Sequence, residues 1–506
     1  MVELRYQRQA ELIQGWDQDK LSSARIAFIG SNMHAAIGGS AVLGIGSIEV
    51  YSDASYNKNS NKFLYINSDG EANVKTLEDS LNTINPSIKV RGIYRSMEYE
   101  RDAKILGKPS AIIETTNDPN SKQICFEYAK ENRIPVVSAS ASRTQGKLMV
   151  YRGEEIKEEF LFPEYENYNS SPVPECVLSG LILRETTGLI MPRTDEENLD
   201  SIIQYNQNSP LRFLHKPVGV KDEKEIIEYN LNVANHFSDK KSDKIIDSFV
   251  IPYLSFTKPS KLEEIIYNKK VLMIGAGGLG NYCGWLTTNL AKELTIVDDD
   301  VVDETNLNRQ IFFCFEDTVG QPKAQKLADV LQKLDSKTKI DYKIERVGLD
   351  FDFEEIKPDV ILSCVDSFKA QSLMNYHAKK LNIPLVSGGV TSDKRGRVAT
   401  YFPNINACLD CQLRIDEAAI REYQPQHCNL APTPSVVTNN ILVSGEMMGE
   451  FPSLAKANVY QKILRGALQY DSNFSSRVGL MPTTQECNCN GGEEKWLKKM
   501  EKLFKE

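Results

Sequence analysis

Long apolar runs are what this 506-residue chain most plainly lacks, and none approaches the 18 or so residues that a membrane-spanning helix needs. The first residues, MVELRYQRQAELIQGW, hold no apolar stretch of the length that a secretory leader carries. An excess of positive charge is missing too. With 60 basic against 69 acidic residues the formal net charge is −9, which argues against a nucleic-acid partner. Cysteine is sparse for this length, ten residues in all, too few for a disulfide scaffold. Histidine is sparser, with five residues, and His34, His215, His236 and His377 show no ligand spacing. What remains, 41% hydrophobic and 25% charged, is an ordinary globular composition for two to four domains. The expectation is a cytoplasmic protein in a reducing compartment, with neither membrane nor nucleic acid as partner.

The chain repeats itself over a long period. ARIAFIGSNMHAA (24–36) parallels KVLMIGAGGLGNY (270–282), and LGIGSIEVYSD (43–53) parallels LAKELTIVDDD (290–300). NSNKFL (59–64) parallels NLNRQI (306–311), and residues 111–138 match 360–387 without a gap. Short β-branched runs alternate with helical stretches in both copies, the pattern of βαβ units on a parallel sheet. The reading is two copies of one α/β domain, 1–192 and 256–506. The charged segment 193–255 is taken as a linker or small helical insert.

In the second copy Gly275, Gly277, Gly278 and Gly280 lie between a strand and a helix. Glycine there permits a tight turn and lets backbone N–H groups approach a phosphate. Asp298 ends the next strand, where a carboxylate can bond ribose hydroxyls. That much would suit a dehydrogenase. The following stretch, DDDVVDETNLNRQIFFCFEDTVGQPKAQKLADVL (298–331), points away from hydride transfer. It sets Asn306, Arg309, Gln310 and Lys323 just beyond the turn. Cations and amides so placed suit cleavage of a phosphoanhydride, where charge grows on departing pyrophosphate.

RYQRQ, GAGGLG, D…NLNRQ, VGQPKA, CVD and CLDC…CNC, in this order, make the chain resemble the ubiquitin-activating-type adenylyltransferases, a ThiF-like family. That group includes molybdopterin- and thiamine-pathway enzymes. The resemblance implies two Rossmann-like domains with mainly parallel sheets, arranged as a pseudo-dimer inside one chain. It implies an active second copy that uses ATP and Mg²⁺ to adenylate the C-terminal glycine of a ubiquitin-like protein, with a conjugating enzyme as a further partner. By position, Asp298 and its neighbour Asp300 resemble the ribose side of the site. Asn306, Arg309, Gln310 and Lys323 resemble the phosphate contacts, and Asp366 the magnesium ligand. Gln371 departs from the arginine usual five residues after that aspartate. In related symmetric dimers the RYQRQ segment crosses to the partner's site, so Arg8 is expected at the nucleotide of the second copy. The first copy looks inactive. Gly30, Asn32 and Ala35 stand opposite the three glycines of the turn, Asn117 opposite Asp366, and Lys62 opposite Arg309.

Cys408-x-x-Cys411 and Cys487-x-Cys489 form a four-thiolate set suited to structural Zn²⁺. Such an ion would staple the C-terminal segment, although the one-residue gap in the second pair is tighter than the family's. Cys428 lies outside both pairs, before an apolar helix and beside His427. It resembles the thioester-forming cysteine of some family members, and a nearby helix N-terminus would lower its pKa. The tail EEKWLKKMEKLFKE (493–506) reads as a short amphipathic helix. Two alternatives stay open: adenylation of a peptide or sulfur-carrier C-terminus without a cysteine intermediate, and an inactive scaffold.

Overall fold

The computed structural model describes residues 3–54, 63–65, 73–142, 144–153, 172–192, 201–207, 212–236, 268–288, 290–334, 337–390, 395–422, 434–451, 466–471, 477–483, 486, 487, 489, 494, 498 and 501. The first copy supplies β1 (Arg25–Ile29), β2 (Ser47–Tyr51), β3 (Lys89–Ile93), β4 (Ala111–Glu114), β5 (Val136–Ala141), β6 (Gln145–Tyr151), β7 (Ser201–Asn206) and β8 (Phe213–Pro217). The second supplies β9 (Lys270–Ile274), β10 (Glu293–Val297), β11 (Lys339–Lys343), β12 (Val360–Ser363), β13 (Leu385–Val390), β14 (Arg395–Tyr401), β15 (Gly466–Asp471) and β16 (Arg477–Pro482). Each set forms one eight-stranded sheet, ordered β3-β2-β1-β4-β5-β6-β7-β8 and β11-β10-β9-β12-β13-β14-β15-β16. The two orders are the same, so the repeat seen as strings is a repeat of topology. Five strands in each sheet run parallel and the last three antiparallel. The inner parallel strands are apolar without alternation because helices cover both faces, as in RIAFI and KVLMI.

The repeat extends to caps. Asp118 Oδ2 accepts from Ser121 N at 2.8 Å to open the helix Pro119–Asn132. Ser367 Oγ accepts from Ala370 N at 3.1 Å to open its counterpart, Phe368–Leu381. Both helices stop at a left-handed residue, Arg133 and Asn382.

Two expectations are corrected. Segment 193–255 is not merely a linker or helical insert: β7 and β8 lie within it and complete the first sheet, followed by the helix Glu223–His236. The sequence repeat does not mark it, because its counterpart strands, β15 and β16, fall after the stretch that holds Cys408 and Cys411 in the second copy, far out of step in sequence. The gapless pairing of LGIGSIEVYSD with LAKELTIVDDD is out by one residue. Gly30 N donates to Tyr51 O at 2.8 Å and Gly275 N to Val297 O at 2.9 Å, so Ser52, not Tyr51, stands opposite Asp298.

The copies are joined through their helices. Pro172–Ile190 of the first lies against Val437–Gly449 of the second. A Cβ on Gly180 would sit 2.7 Å from Leu442 N, and one on Gly445 would sit 2.8 Å from Val177 N. Glycine on each helix thus admits the other's backbone, in the self-complementary manner of a two-fold interface. Around this seam one apolar core draws on both halves, with Phe63 edge-on to Trp285 at 4.9 Å and tilted against Phe312 at 5.2 Å.

This seam should tolerate no added methyl. Gly180→Ala gains about 1 kcal/mol of helix propensity, but the new carbon meets backbone that cannot rotate away. Overpacking of this kind costs about 1–3 kcal/mol, so the variant should melt below the wild type. Since both copies share one core, loss should appear in a single transition by near-ultraviolet circular dichroism. An unchanged melting temperature would show that the helices are not clamped there.

Candidate functional site

Strand order reverses between β9 and β12, and an open α/β sheet forms its ligand crevice beyond the carboxyl ends of such strands. The glycine turn begins there. Gly275 has φ +98°, and a Cβ on it would lie 2.8 Å from Cys364 O. A Cβ on Gly280 would strike Gly275 O at 2.0 Å, so the helix Gly278–Thr287 can start this close to the strand only with glycine. Gly278 lies against the Asn440 side chain, while a Cβ on Gly277 would meet only Gln310 Nε2, at 3.8 Å, so the backbone there is approachable.

Asp298 braces the turn. Its Oδ2 accepts from Ala276 N at 2.6 Å and its Oδ1 from Asp300 N at 2.8 Å. Burial raises its pKa, and these two backbone donors act in the opposite direction. Asp300 Oδ2 holds Lys323 Nζ at 2.9 Å. Asp303 caps a short turn by accepting from Thr305 N at 2.8 Å, and Asn306 Oδ1 answers by accepting from Asp303 N at 3.2 Å. Arg309 donates from Nη1 to Thr305 O at 3.0 Å and Asn308 Oδ1 at 2.9 Å. Gln310 is buried, with Oε1 unpartnered.

Arg8 reaches this cluster from the other copy. Its Nε donates to Thr305 Oγ1 at 3.2 Å across 297 residues of sequence, and its carbonyl accepts from Ser435 N at 3.4 Å. Gln9 receives Asn308 Nδ2 at 3.3 Å. Burial, then the Arg8 guanidinium, press the pKa of Arg309 down to about 9, with partial relief from Asp366 and Asp303. A guanidinium remains charged in water at neutral pH, so Arg309 is a buried cation with a second cation, Arg8, close beside it. Asp366 lies exposed at the end of β12, near enough to Arg309 to attract it. The fold therefore gathers the residues singled out from Gly275 to Asp366, with Arg8, at one crevice. Cys428 and His427 fall outside the described residues, as does Lys62.

The equivalent place in the first copy is filled from within. Gly30 keeps its φ of +92°, but Ser52 replaces Asp298 and bonds Ser31 Oγ at 3.1 Å. Asn117 Nδ2 donates to Ala141 O at 3.2 Å. Below it Glu114 and Lys122 form a buried ion pair, and Ser138 Oγ donates to Glu114 Oε2 at 2.8 Å. Nothing in single-copy motifs marks this pair, although both residues are visible in the gapless match as replacements for Ser363 and Gln371.

The four cysteines come together, their sulfurs all within 4.8 Å of one another. Cys408–Cys489 and Cys411–Cys487 stand at 3.9 Å and Cys411–Cys489 at 4.0 Å. Tetrahedral zinc with sulfur at 2.3 Å requires about 3.8 Å between ligands, so these three edges fit. Cys487–Cys489, at 3.0 Å, is the tight edge of the one-residue gap and would open on binding. Cys489 has φ +26°. Hydrogen bonds shared among the four thiols press Cys487 below its ordinary range and Cys408 above it, so the cluster holds negative charge on one sulfur at the expense of another. Lys379, which the motifs did not single out, donates to Cys489 Sγ at 3.0 Å and Cys487 Sγ at 3.4 Å. From the tail, Glu501 accepts from Tyr376 Oη at 2.9 Å, on the helix that also carries Lys379. No helix among the described residues is long and apolar enough to cross a membrane.

Protein purified without chelators should carry one zinc per chain by elemental analysis, and Cys411→Ser should lose it with a fall in melting temperature. Metal-free wild-type protein would leave the four thiols as a cluster without an ion.

The family model described as "ThiF family" matches residues 6–234 and 254–489. The NEDD8-activating enzyme E1 catalytic subunit of Saccharomyces cerevisiae is 30% identical over 187 residues, 33% of this chain and 58% of that protein. The SAMP-activating enzyme E1 of Haloferax volcanii is 32% identical over 148 residues, 29% of this chain and 54% of that one. The adenylyltransferase and sulfurtransferase UBA4 of Meyerozyma guilliermondii is 34% identical over 162 residues, 31% of this chain and 36% of that one. The chain thus spans about half, or less, of the length of the curated relatives it matches.

Proposed function

This chain belongs to the ThiF family, and from that premise we propose that it activates a small ubiquitin-like protein by adenylating its C-terminal glycine with ATP. The observation that carries the reading is the convergence of Arg8 and Arg309, cations from two copies, on Thr305 beside the glycine turn. Phosphates fill such a place well, because guanidinium groups bind them through directed, charge-assisted hydrogen bonds.

In this reading Asp298 bonds the ribose, and the backbone at Gly277 admits the phosphates. Lys323, released from Asp300, turns to them along with Asn306 and Gln310. Asp366 would hold Mg²⁺, which neutralises phosphate charge when bound. The glycine carboxylate attacks the α-phosphorus, the bond to the bridging oxygen breaks, and pyrophosphate leaves with the charge that Arg8 and Arg309 receive. Nothing need be deprotonated in this step. The second step passes the acyl group to Cys428: its thiolate attacks the carbonyl carbon, a thioester forms and AMP departs. A conjugating enzyme would take the thioester on. The names of the relatives favour both this route and one to a sulfur carrier, in which no enzyme thioester forms.

Arg8→Ala should lower ATP–pyrophosphate exchange by about 10²-fold, the usual effect of removing one donor from a developing anion, with little change in melting. Near-normal exchange would reduce Arg8 to a contact between the copies.

Cys428→Ala should abolish a thiol-sensitive adduct on non-reducing gels while sparing pyrophosphate exchange. An adduct that persists in the variant would place the nucleophile elsewhere, and its absence from the wild type would favour the sulfur-carrier route.

A further inference from the structure

One face of the second sheet, beneath the helix Phe368–Leu381, holds a cation that the site described so far does not use. Arg397 lies on β14 opposite Gly389, near the carboxyl end of β13. Its Nη2 donates to Gln371 Oε1 at 2.9 Å, and its guanidinium lies 5.6 Å from the centre of the Phe368 ring. Gln371 in turn donates from Nε2 to Val365 O at 3.4 Å, next to Asp366. A single amide thus ties this guanidinium to the loop that ends β12.

Arg397 pairs with no carboxylate among the described residues, and burial alone presses its pKa down to about 10. A desolvated cation without a counter-charge is costly, and packing does not require one here.

The first copy shows what has been taken away. The gapless match places Glu114 opposite Ser363 and Lys122 opposite Gln371. The strand pairings Val136–Tyr151 and Leu385–Tyr401 place Lys147 opposite Arg397. Both copies therefore carry a cation on the strand after the crossover, but only the first carries a buried carboxylate at the base of the helix, where Glu114 pairs with Lys122. In the second copy Ser363 stands in place of that carboxylate, and its Oγ is buried and has no partner. Gly389 keeps the space open, since a Cβ there would lie 3.1 Å from Gln371 Nε2.

We propose that Arg397, held in place by Gln371, receives the carboxylate of the substrate's terminal residue, so that the second copy draws from its substrate the negative charge that the first carries as Glu114. This rests on the adenylation reading. It gives that reading a receptor for the attacking group, on the Asp366 side of the crevice and separate from the arginines that face pyrophosphate. Arg397 orients one carboxylate oxygen, leaving the other to attack phosphorus. Gln371 acts as a positioning residue, holding the guanidinium by one N–H and leaving the others for the ligand.

The test uses the full chain saturated with a non-hydrolysable ATP analogue and Mg²⁺. Two probes are titrated by calorimetry: a hexapeptide ending in Gly-Gly with a free carboxylate, and the same peptide as its C-terminal amide. Wild type should bind the acid more tightly than the amide by about ten- to a hundredfold, the worth of a charge-assisted hydrogen bond. Arg397→Met should erase that preference and leave the affinity for the ATP analogue within about twofold. Arg397→Lys should keep part of the preference, which guards against a folding defect, and Gln371→Ala should weaken it. A preference that survives in Arg397→Met overturns the proposal, as does equal binding of acid and amide by wild type. A parallel loss of analogue affinity would make Arg397 a phosphate ligand instead and overturn it too. If wild type fails to bind the ATP analogue at all, the adenylation reading itself has failed, a result distinct from these.

Discussion

Everything at the site depends on how closely two helices can approach. Gly180 and Gly445 let Pro172–Ile190 and Val437–Gly449 meet backbone to backbone, and the apolar core then closes over both copies as one. That contact sets the first copy's N-terminal segment against the turn Glu304–Asn306 of the second. Without it Arg8 has no route to Thr305. The crevice is therefore a property of the pair of copies, although its glycines and carboxylates come from one.

The first copy keeps the architecture of a nucleotide domain while bonding, within itself, most of the side chains that stand where the second copy has its site. Ser31, Ser52, Asn117, Glu114 and Lys122 bond one another or nearby backbone. A buried ion pair is weak evidence of stability, but removing one partner of it is strongly destabilising. Once Glu114 and Lys122 were both present, neither could be lost alone without exposing the other, and the closed state of this copy became hard to reverse. The second copy took the opposite course at the same positions, with Ser363 and Gln371, and its charges remain available to a ligand.

Much of this is legible in the amino-acid sequence alone. The gapless match of 111–138 with 360–387 fixes two strands, a helix and its cap in each copy, because helices and strands there are dense in apolar contacts and tolerate no length change. The turn glycines were legible for a similar reason, since backbone that must pass within about 3 Å of other backbone admits no side chain. The last two strands of the first sheet were not legible. β7 and β8 are short and antiparallel, and a long insertion displaces their counterparts in the second copy. The offset at Ser52 is a one-residue difference at the entry to β2, where a turn can absorb length without disturbing the strand. Arg397 was invisible for another reason: its meaning lies in the absence of a carboxylate, which only the folded neighbourhood displays.

The gathering of Cys408, Cys411, Cys487 and Cys489 has a consequence for the chain between them. Cys411 and Cys487 are 76 residues apart, yet their sulfurs stand 3.9 Å from each other. The intervening chain is thus a loop pinned at its base, and it contains Cys428, the long helix of the seam and β15. For such a loop the entropy of closure rises only with the logarithm of its length, about 0.6 kcal/mol for each doubling. Residues around Cys428 can therefore be added or removed at little thermodynamic cost, provided the pin and the seam helix stay in register. Under the proposed reading, the stretch that would carry the acyl group is one whose length can change without disturbing the second sheet.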